Sequence, residues 1–239
     1  MSRSKFPSPQ VPSVAIIAID GPAGSGKSSV GKAVASQIGF RFLDTGLMYR
    51  ATTWHAIQSG IELHDPNAVV MLASQMEISM QNGDDGESLI TVNGEDVTGF
   101  LHSTAVDDSV SGVSAISRVR EMMVYEQRYL ANEGKIVMVG RDIGTVVLPD
   151  APLKIYLTAS ARTRAVRRHR DFIAAATAGE RAKIDFEEIL QSIEKRDLID
   201  SSRADSPLRP ADDAVVVVTD ELTLNQVVIR LVELARAGN

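Results

Sequence analysis

The segment Gly21-Pro22-Ala23-Gly24-Ser25-Gly26-Lys27-Ser28 fits the pattern G-x-x-x-x-G-K-[ST]. Glycines in such a loop let the backbone curl until successive N–H groups point inward at a polyphosphate, and a helix N-terminus behind it adds partial positive charge. In that chemistry Lys27 reaches the β and γ phosphates of a nucleoside triphosphate and the Ser28 hydroxyl ligates Mg²⁺, with Ser29 completing the cradle. A glycine-rich turn followed by an incidental Lys-Ser pair would satisfy the same pattern, so the flanking elements decide between the two. A triphosphate cradle does not by itself make an enzyme, since switches, motors and regulatory ATPases share it. No N-K-x-D stretch for reading guanine occurs, which weighs against a switch.

Four further polar clusters could supply an acceptor site. Asp44-Thr45-Gly46-Leu47-Met48-Tyr49-Arg50 follows an apolar run, with Thr45 placed to cap the next helix; capping and packing explain it as well as a binding role does. Gly140-Arg141-Asp142-Ile143-Gly144-Thr145 follows the run Ile136 to Val139, and a charged pair between glycines at a strand end suits a site better than a core. Arg196, Asp200 and Arg203, on a helix through Leu190 to Ile199, share one face at offsets of four and three. An exposed Arg-Asp-Arg ladder is the plainer reading of that spacing. Finally, Arg162, Arg164, Arg167, Arg168 and Arg170 place five arginines in nine residues, in a helix capped by Ser160. Some will be solvated, but such a strip could fold over transferring phosphates and offset their charge. An acceptor that is itself a phosphate has a second pKa of about 6 and needs no general base at neutral pH. His55, His64, His102 and His169 show neither ligand spacing nor evident partners, and no catalytic role is assigned to them.

The elements that must hold these clusters are legible as short apolar runs. Val14 to Ile19, Phe40 to Leu43, Ile136 to Val139, Leu153 to Leu157 and Val215 to Val218 read as five buried strands separated by helix-length segments, which implies a parallel sheet. The phosphate loop falls between the first strand and a helix over Ser28 to Ile38 that stops at Gly39, as its pattern requires. Leu224, Val227, Val228, Leu231 and Leu234 form one stripe of a closing amphipathic helix. Between about Met76 and Thr98 the pattern alternates around the turn-rich stretches Asn82 to Gly86 and Asn93-Gly94, predicting inserted antiparallel hairpins. Ala174 to Lys183 reads as an irregular flap.

The 239 residues fit one α/β domain with insertions. A net charge of -6 argues against a nucleic-acid coat protein, so any anion site must be local. There is no cysteine, which removes disulfide scaffolds and thiolate metal sites and suits a reducing cytoplasm. Met1 to Ser13 lacks the apolar run of a secretory signal and reads as a loose tail. A cytoplasmic monomer with no membrane and no nucleic-acid partner is the expectation.

With these motifs in hand the chain resembles the bacterial cytidylate kinase family over nearly its whole length. The run Gly140 to Ala151 and the run Arg196-Asp197-Leu198-Ile199-Asp200-Ser201-Ser202-Arg203 look like that family's signatures. The resemblance implies a P-loop NTPase fold with a five-stranded parallel sheet, a monophosphate-binding insertion at about 64–106 and a lid at about 160–185. It implies transfer of a phosphoryl group from ATP, with Mg²⁺, to CMP or dCMP. Arg120 and Asp142, helped by Ser111, would read the cytosine edge. Arg50, Arg141 and Arg203 would hold the acceptor phosphate, Asp200 and Arg196 would approach the sugar hydroxyls, and Thr45 and Tyr49 would line the same pocket. Lys27, Arg141, Arg164 and Arg168 would compensate charge during transfer. The departures are an extended N-terminal tail and isoleucine at position 143. A kinase of the same fold acting on uridylate, adenylate or a metabolite, and a slowly hydrolysing regulatory module, stay open as alternatives.

Overall fold

The computed structural model describes residues 14–82, 88–181 and 184–237. In chain order the elements are β1 (Ile16–Asp20), α1 (Lys27–Ile38), β2 (Arg41–Asp44), α2 (Thr45–Gln58), α3 (Pro66–Gln75), β3 (Ile78–Asn82), β4 (Ser88–Val92) and β5 (Glu95–Asp96). They continue with α4 (Thr104–Val113), α5 (Ser117–Ala131), β6 (Ile136–Gly140), β7 (Leu153–Thr158), α6 (Ala161–Ala175), α7 (Ala178–Arg181), α8 (Phe186–Ser202), β8 (Val215–Val218) and α9 (Leu224–Ala237). The five expected strands form one parallel sheet in the order β2-β6-β1-β7-β8. The expected tail lies outside the described residues, as do most of the turn at Asn82 to Gly86 and the last two residues of the Ala174 to Lys183 stretch. Among the described residues no helix is long and apolar enough to cross a membrane.

The alternation of a strand sends successive side chains to opposite faces. Ile17, Ile19, Val137, Val139, Ile155 and Leu157 therefore share one face and pack against Val30 and Val34 of α1 and Val227 and Leu231 of α9. Ala18, Ile136 and Met138 point the other way, onto Ile143, Val147 and Ala131. Two expectations are corrected here. β8 is an edge strand rather than a fully buried one, and among the described residues Val216 and Val218 on its second face are left exposed. In α9 the buried stripe runs through Val232 and Ala235, whereas Leu224 at the first turn is exposed.

The alternating region forms a three-stranded antiparallel sheet, β3-β4-β5. Ile90 and Val92 of that sheet pack on Ala51 and Trp54 of α2, so the insertion leans on the helix that follows β2. The Ala174 to Lys183 stretch is less irregular than expected. Ala174 and Ala175 still belong to α6, and Ala178–Arg181 makes a turn of helix.

Candidate active site

In the parallel register Asp20 stands beside Gly140 and Tyr156, and Asp44 beside Val139. The chain segments that leave β1, β2 and β6 therefore emerge together at one rim, where an open α/β sheet binds its ligands. The segment after β1 is the glycine loop. At Gly21 φ is +151° and an added Cβ would lie 2.0 Å from the Leu157 carbonyl oxygen, so only glycine lets the loop start this close to β7. Lys27 opens α1 and is buried; its ammonium donates to the Pro22 carbonyl at 2.8 Å. Burial, and then the nearby Arg141 charge, lower its pKa well below the ordinary lysine value. The loop thus holds the Lys27 side-chain nitrogen at its centre.

Ser28 is exposed and donates to the Asp44 carboxylate. This pair of oxygen donors at a helix start suits Mg²⁺, a hard cation that binds through one or two protein oxygens and substrate phosphates. The capping expectation at Thr45 is corrected: Asp44 is the N-cap of α2, accepting the Gly46 N–H at 2.9 Å. Thr45 begins the helix and donates instead to the Val139 carbonyl at 2.9 Å, tying α2 to β6.

A cavity of about 180 Å³ opens on the insertion side of the loop. Its lining brings together Lys27, Thr45, Tyr49, Arg50, Ser111, Arg120, Arg141, Asp142, Arg196, Asp200 and Arg203. Arg120 of α5 pairs with Asp142 on the turn after β6, both buried. Arg141 Nε donates to Asp200 at 2.8 Å, and Arg203 Nη2 stands 3.9 Å from the same carboxylate. Burial alone would raise the Asp200 pKa, but Arg141 and Arg203 outweigh it and hold the carboxyl below its ordinary value. The exposed-ladder reading of Arg196, Asp200 and Arg203 therefore fails: α8 turns that face inward, and Arg203 sits at the helix C-cap, one step past its last turn. Among the described residues Arg120 Nε and Arg203 Nη2 are buried without a hydrogen-bond partner, as donors awaiting a ligand would be.

A second cleft, of about 1190 Å³, lies on the other side of the loop, between α6 and the chain after β8. It shares Gly24, Lys27, Ser28, Arg50, His102 and Arg168 with the first cavity. Ser160 caps α6 by accepting the Thr163 N–H. Its arginines then diverge. Arg162, Arg167, Arg168 and Arg170 line the cleft, whereas Arg164 borders neither cavity. Arg164 is buried beneath the loop, donating to the Ala23 carbonyl at 3.0 Å and to both oxygens of Asp197.

Several residues escaped sequence reasoning. His102 lines both cavities, although no role was assigned to it. Asp20 is buried and accepts the N–H groups of Ile143 and Gly144, each at 2.7 Å, fastening the turn that carries Arg141 and Asp142 to the end of β1. Asp107 and Asp197 each pair with arginines of α6. A single aspartate on a helix face carries no signal of its own; only the arginine-rich partner hinted at a buried counter-charge.

Comparison with known proteins agrees with this geometry. The cytidylate kinase family model matches residues 17–237. The chain is 48% identical to the cytidylate kinase of Rhodococcus opacus over 217 residues, covering 90% of this chain and 92% of that one. It is 48% identical to the cytidylate kinase of Streptomyces avermitilis over 233 residues, 95% and 96% of the two chains. Against the Geobacillus thermodenitrificans cytidylate kinase the identity is 45% over 218 residues, 91% and 95% of the chains.

Proposed function

The chain belongs to the cytidylate kinase family, and from that premise we propose how its site works. It is an ATP-dependent kinase that phosphorylates CMP and dCMP. The observation that carries the site assignment is the meeting of two cavities at Lys27 and Ser28. ATP occupies the larger cleft, with Gly21 to Ser29 around its phosphates, and the monophosphate occupies the smaller cavity, so that both phosphate ends converge on the loop.

Base reading falls to Asp142 and Arg120. A carboxylate has about four lone-pair directions, so pairing with Arg120 leaves capacity to accept from the cytosine exocyclic amine. Arg120, with Ser111 alongside, donates to the ring nitrogen and carbonyl. Uracil presents a carbonyl where cytosine has its amine, and the carboxylate repels it. Arg50, Arg141 and Arg203 hold the acceptor phosphate, Asp200 and Arg196 face the sugar, and Thr45 and Tyr49 complete the wall. Burial pushes the Tyr49 hydroxyl up to about 12, so it stays a neutral donor at working pH.

The transfer needs alignment and charge compensation more than proton chemistry, because the attacking phosphate oxygen is already ionised. Lys27 holds its position beside the phosphates through the Pro22 carbonyl, and Arg141 and Arg168, both lining the smaller cavity, add charge. Arg164 acts by bracing the loop at Ala23 rather than by touching substrate. Ser28 and Asp44 would hold Mg²⁺, which when bound would supply positive charge to the donor phosphates. Residues 64–106 would serve as the monophosphate-binding region, and α6 with the chain to about 185 as a lid that excludes water.

The test is a coupled ADP-release assay over a panel of monophosphates. CMP and dCMP should far exceed UMP and AMP, with little turnover when no monophosphate is present. ATP turnover that ignores every monophosphate would sink the reading in favour of a regulatory ATPase.

A further inference from the structure

Arginines from three elements meet on one carboxylate. Arg50 of α2 donates through Nη2 to Asp107 Oδ1 at 2.6 Å, and Arg168 of α6 donates to the other oxygen. Arg196 of α8 brings Nη1 to 3.7 Å from Oδ1. Asp107 itself lies on α4, a helix with no other part in the reaction except Ser111. Its side chain is 13% exposed, which by itself raises a carboxyl pKa, yet Arg50, Arg168 and Arg196 hold it below the ordinary value.

The cluster is placed where the two cavities join. Arg50 and Arg168 line both, Arg196 lines the smaller and Asp107 the larger. One carboxylate offsets only part of the charge of three guanidiniums. Burial, and then the positive fields of Arg141 and Arg50, lower the Arg196 pKa to about 10. Arg196 Nε is also buried without a hydrogen-bond partner. A site with three guanidiniums, one carboxylate and an unused donor at the junction of the two cavities is built for a second, larger anion.

We propose that Asp107 is the internal occupant of the acceptor-phosphate site at Arg50, gathering Arg50 and Arg168, with Arg196 alongside where that site meets the sugar, until phosphate takes over their N–H donors. Without Asp107 the guanidiniums would repel one another and splay, and phosphate would have to reassemble them. With it they stay assembled, at the cost of a carboxylate that competes with phosphate for the same donors. The competition is the larger effect: a full negative charge within several ångströms of a dianion outweighs the ordering of a few side chains.

The inference rests on the kinase reading for its natural ligand, but its test uses inorganic phosphate and CMP directly. Asp107→Asn keeps the shape and removes the charge. At low ionic strength, where screening is weakest, the variant should melt below the unsubstituted protein without ligand. It should also show a larger rise in Tm on adding inorganic phosphate, and bind CMP about tenfold more tightly by calorimetry. A lower Tm with an unchanged phosphate response would reduce Asp107 to a packing residue and overturn the proposal. So would weaker CMP binding, which would make Asp107 an orienting partner that stays in place.

A measurement on the unsubstituted protein keeps the proposal testable if the variant does not fold. The Asp107 carboxyl, followed by carbon NMR, should titrate below the ordinary value alone and move upward at saturating phosphate as its arginines leave. A midpoint that phosphate does not move is the contrary result. Failure of this inference is distinguishable from failure of the kinase reading: absent CMP-dependent ADP release refutes the latter, whereas normal release with an unchanged phosphate response in the variant refutes only the subsite.

Discussion

Arg120 and Asp142 join α5 to the turn after β6 through an ion pair almost withdrawn from solvent, the two side chains 4% and 6% exposed. The Arg120 guanidinium also lies over the Tyr49 ring, 5.4 Å from its centroid, and donates to the Ser114 carbonyl at 3.2 Å. A buried pair of this kind adds little net stability, because desolvation of two charges offsets most of their attraction. Fixed position is the better account of it. The pair presents a carboxylate and a guanidinium side by side, the arrangement that cytosine's amine, ring nitrogen and carbonyl complement.

Replacing Asp142 by Asn tests that account. The amide keeps an acceptor for Arg120 but introduces N–H donors facing the cytosine amine, which also donates. We expect kcat/KM for CMP to fall by about 100-fold, the cost of one charge-assisted hydrogen bond. The value for UMP should rise, because the amide donor now meets the uracil carbonyl that the carboxylate repels, so the preference narrows. Steady-state kinetics with both nucleotides decide it; an unaltered CMP preference would reject base reading by this residue.

Lys27→Ala should act on a different parameter. Its side-chain nitrogen donates to the Pro22 carbonyl within the glycine loop, where we propose that it neutralises phosphate charge away from the cytosine-reading pair. Loss of such a group lowers kcat by about a thousandfold or more. Calorimetric binding of CMP should stay within about twofold of the unsubstituted value, since its contacts are all on other elements. Equal losses in kcat and in CMP affinity would show that the two cavities are not separable in the way described.

What the sequence disclosed and what it hid divide along a physical line. The five strands and the glycine loop were legible because strand burial and loop curvature demand particular residue types at particular spacing. The inward face of Arg196, Asp200 and Arg203 was readable only as one of two options, since spacing gives a face and not what it meets. Thr45 was misread as a cap because Asp44, one residue earlier, competes for the same role and wins by accepting the Gly46 N–H. Arg164 looked equivalent to Arg168 in the arginine run. A helix turns about 100° per residue, so four residues return Arg168 to nearly the same side one turn further along. There it reaches the rim, while Arg164 stays beneath the loop on Asp197. Asp20 and Asp107 could not be found at all, because their meaning lies in backbone N–H groups and arginines far away in sequence.

Asp20 gives a pH dependence with a definite sign. Burial pushes its carboxyl from 3.8 up to about 6, against the opposing N–H bonds of Gly144 and Ile143. The folded protein then keeps this proton to higher pH than the unfolded chain does. Between about pH 4 and pH 6 folding binds a proton, so the stability contributed by Asp20 falls as pH rises through that window. The size is about 3 kcal/mol at most for a shift of this order. Urea denaturation of the protein and of Asp20→Asn across pH 4 to 7 isolates it, because other carboxyls titrate alike in both. The difference in stability should decline with rising pH; a flat or rising difference would show that the two N–H bonds win over burial.

Gly31→Ala separates the support of the site from its chemistry. Gly31 lies within α1 on the side facing the sheet, where an added Cβ would sit 2.6 Å from Val139 Cγ1 and 2.9 Å from Phe42 Cε2. On an exposed helix the same change would stabilise by about 1 kcal/mol. Here overpacking opposes it with about 1–3 kcal/mol, so the helix must move away from β6 and β2. Since Lys27 and Ser28 form its first turn, that movement also displaces the phosphate cradle. We expect Tm to fall by up to about 8 °C and KM for ATP to rise, while CMP affinity holds. A higher Tm with unchanged ATP kinetics would mean that Val139 and Phe42 give way without cost, and that α1 is not seated on the sheet as tightly as its glycine implies.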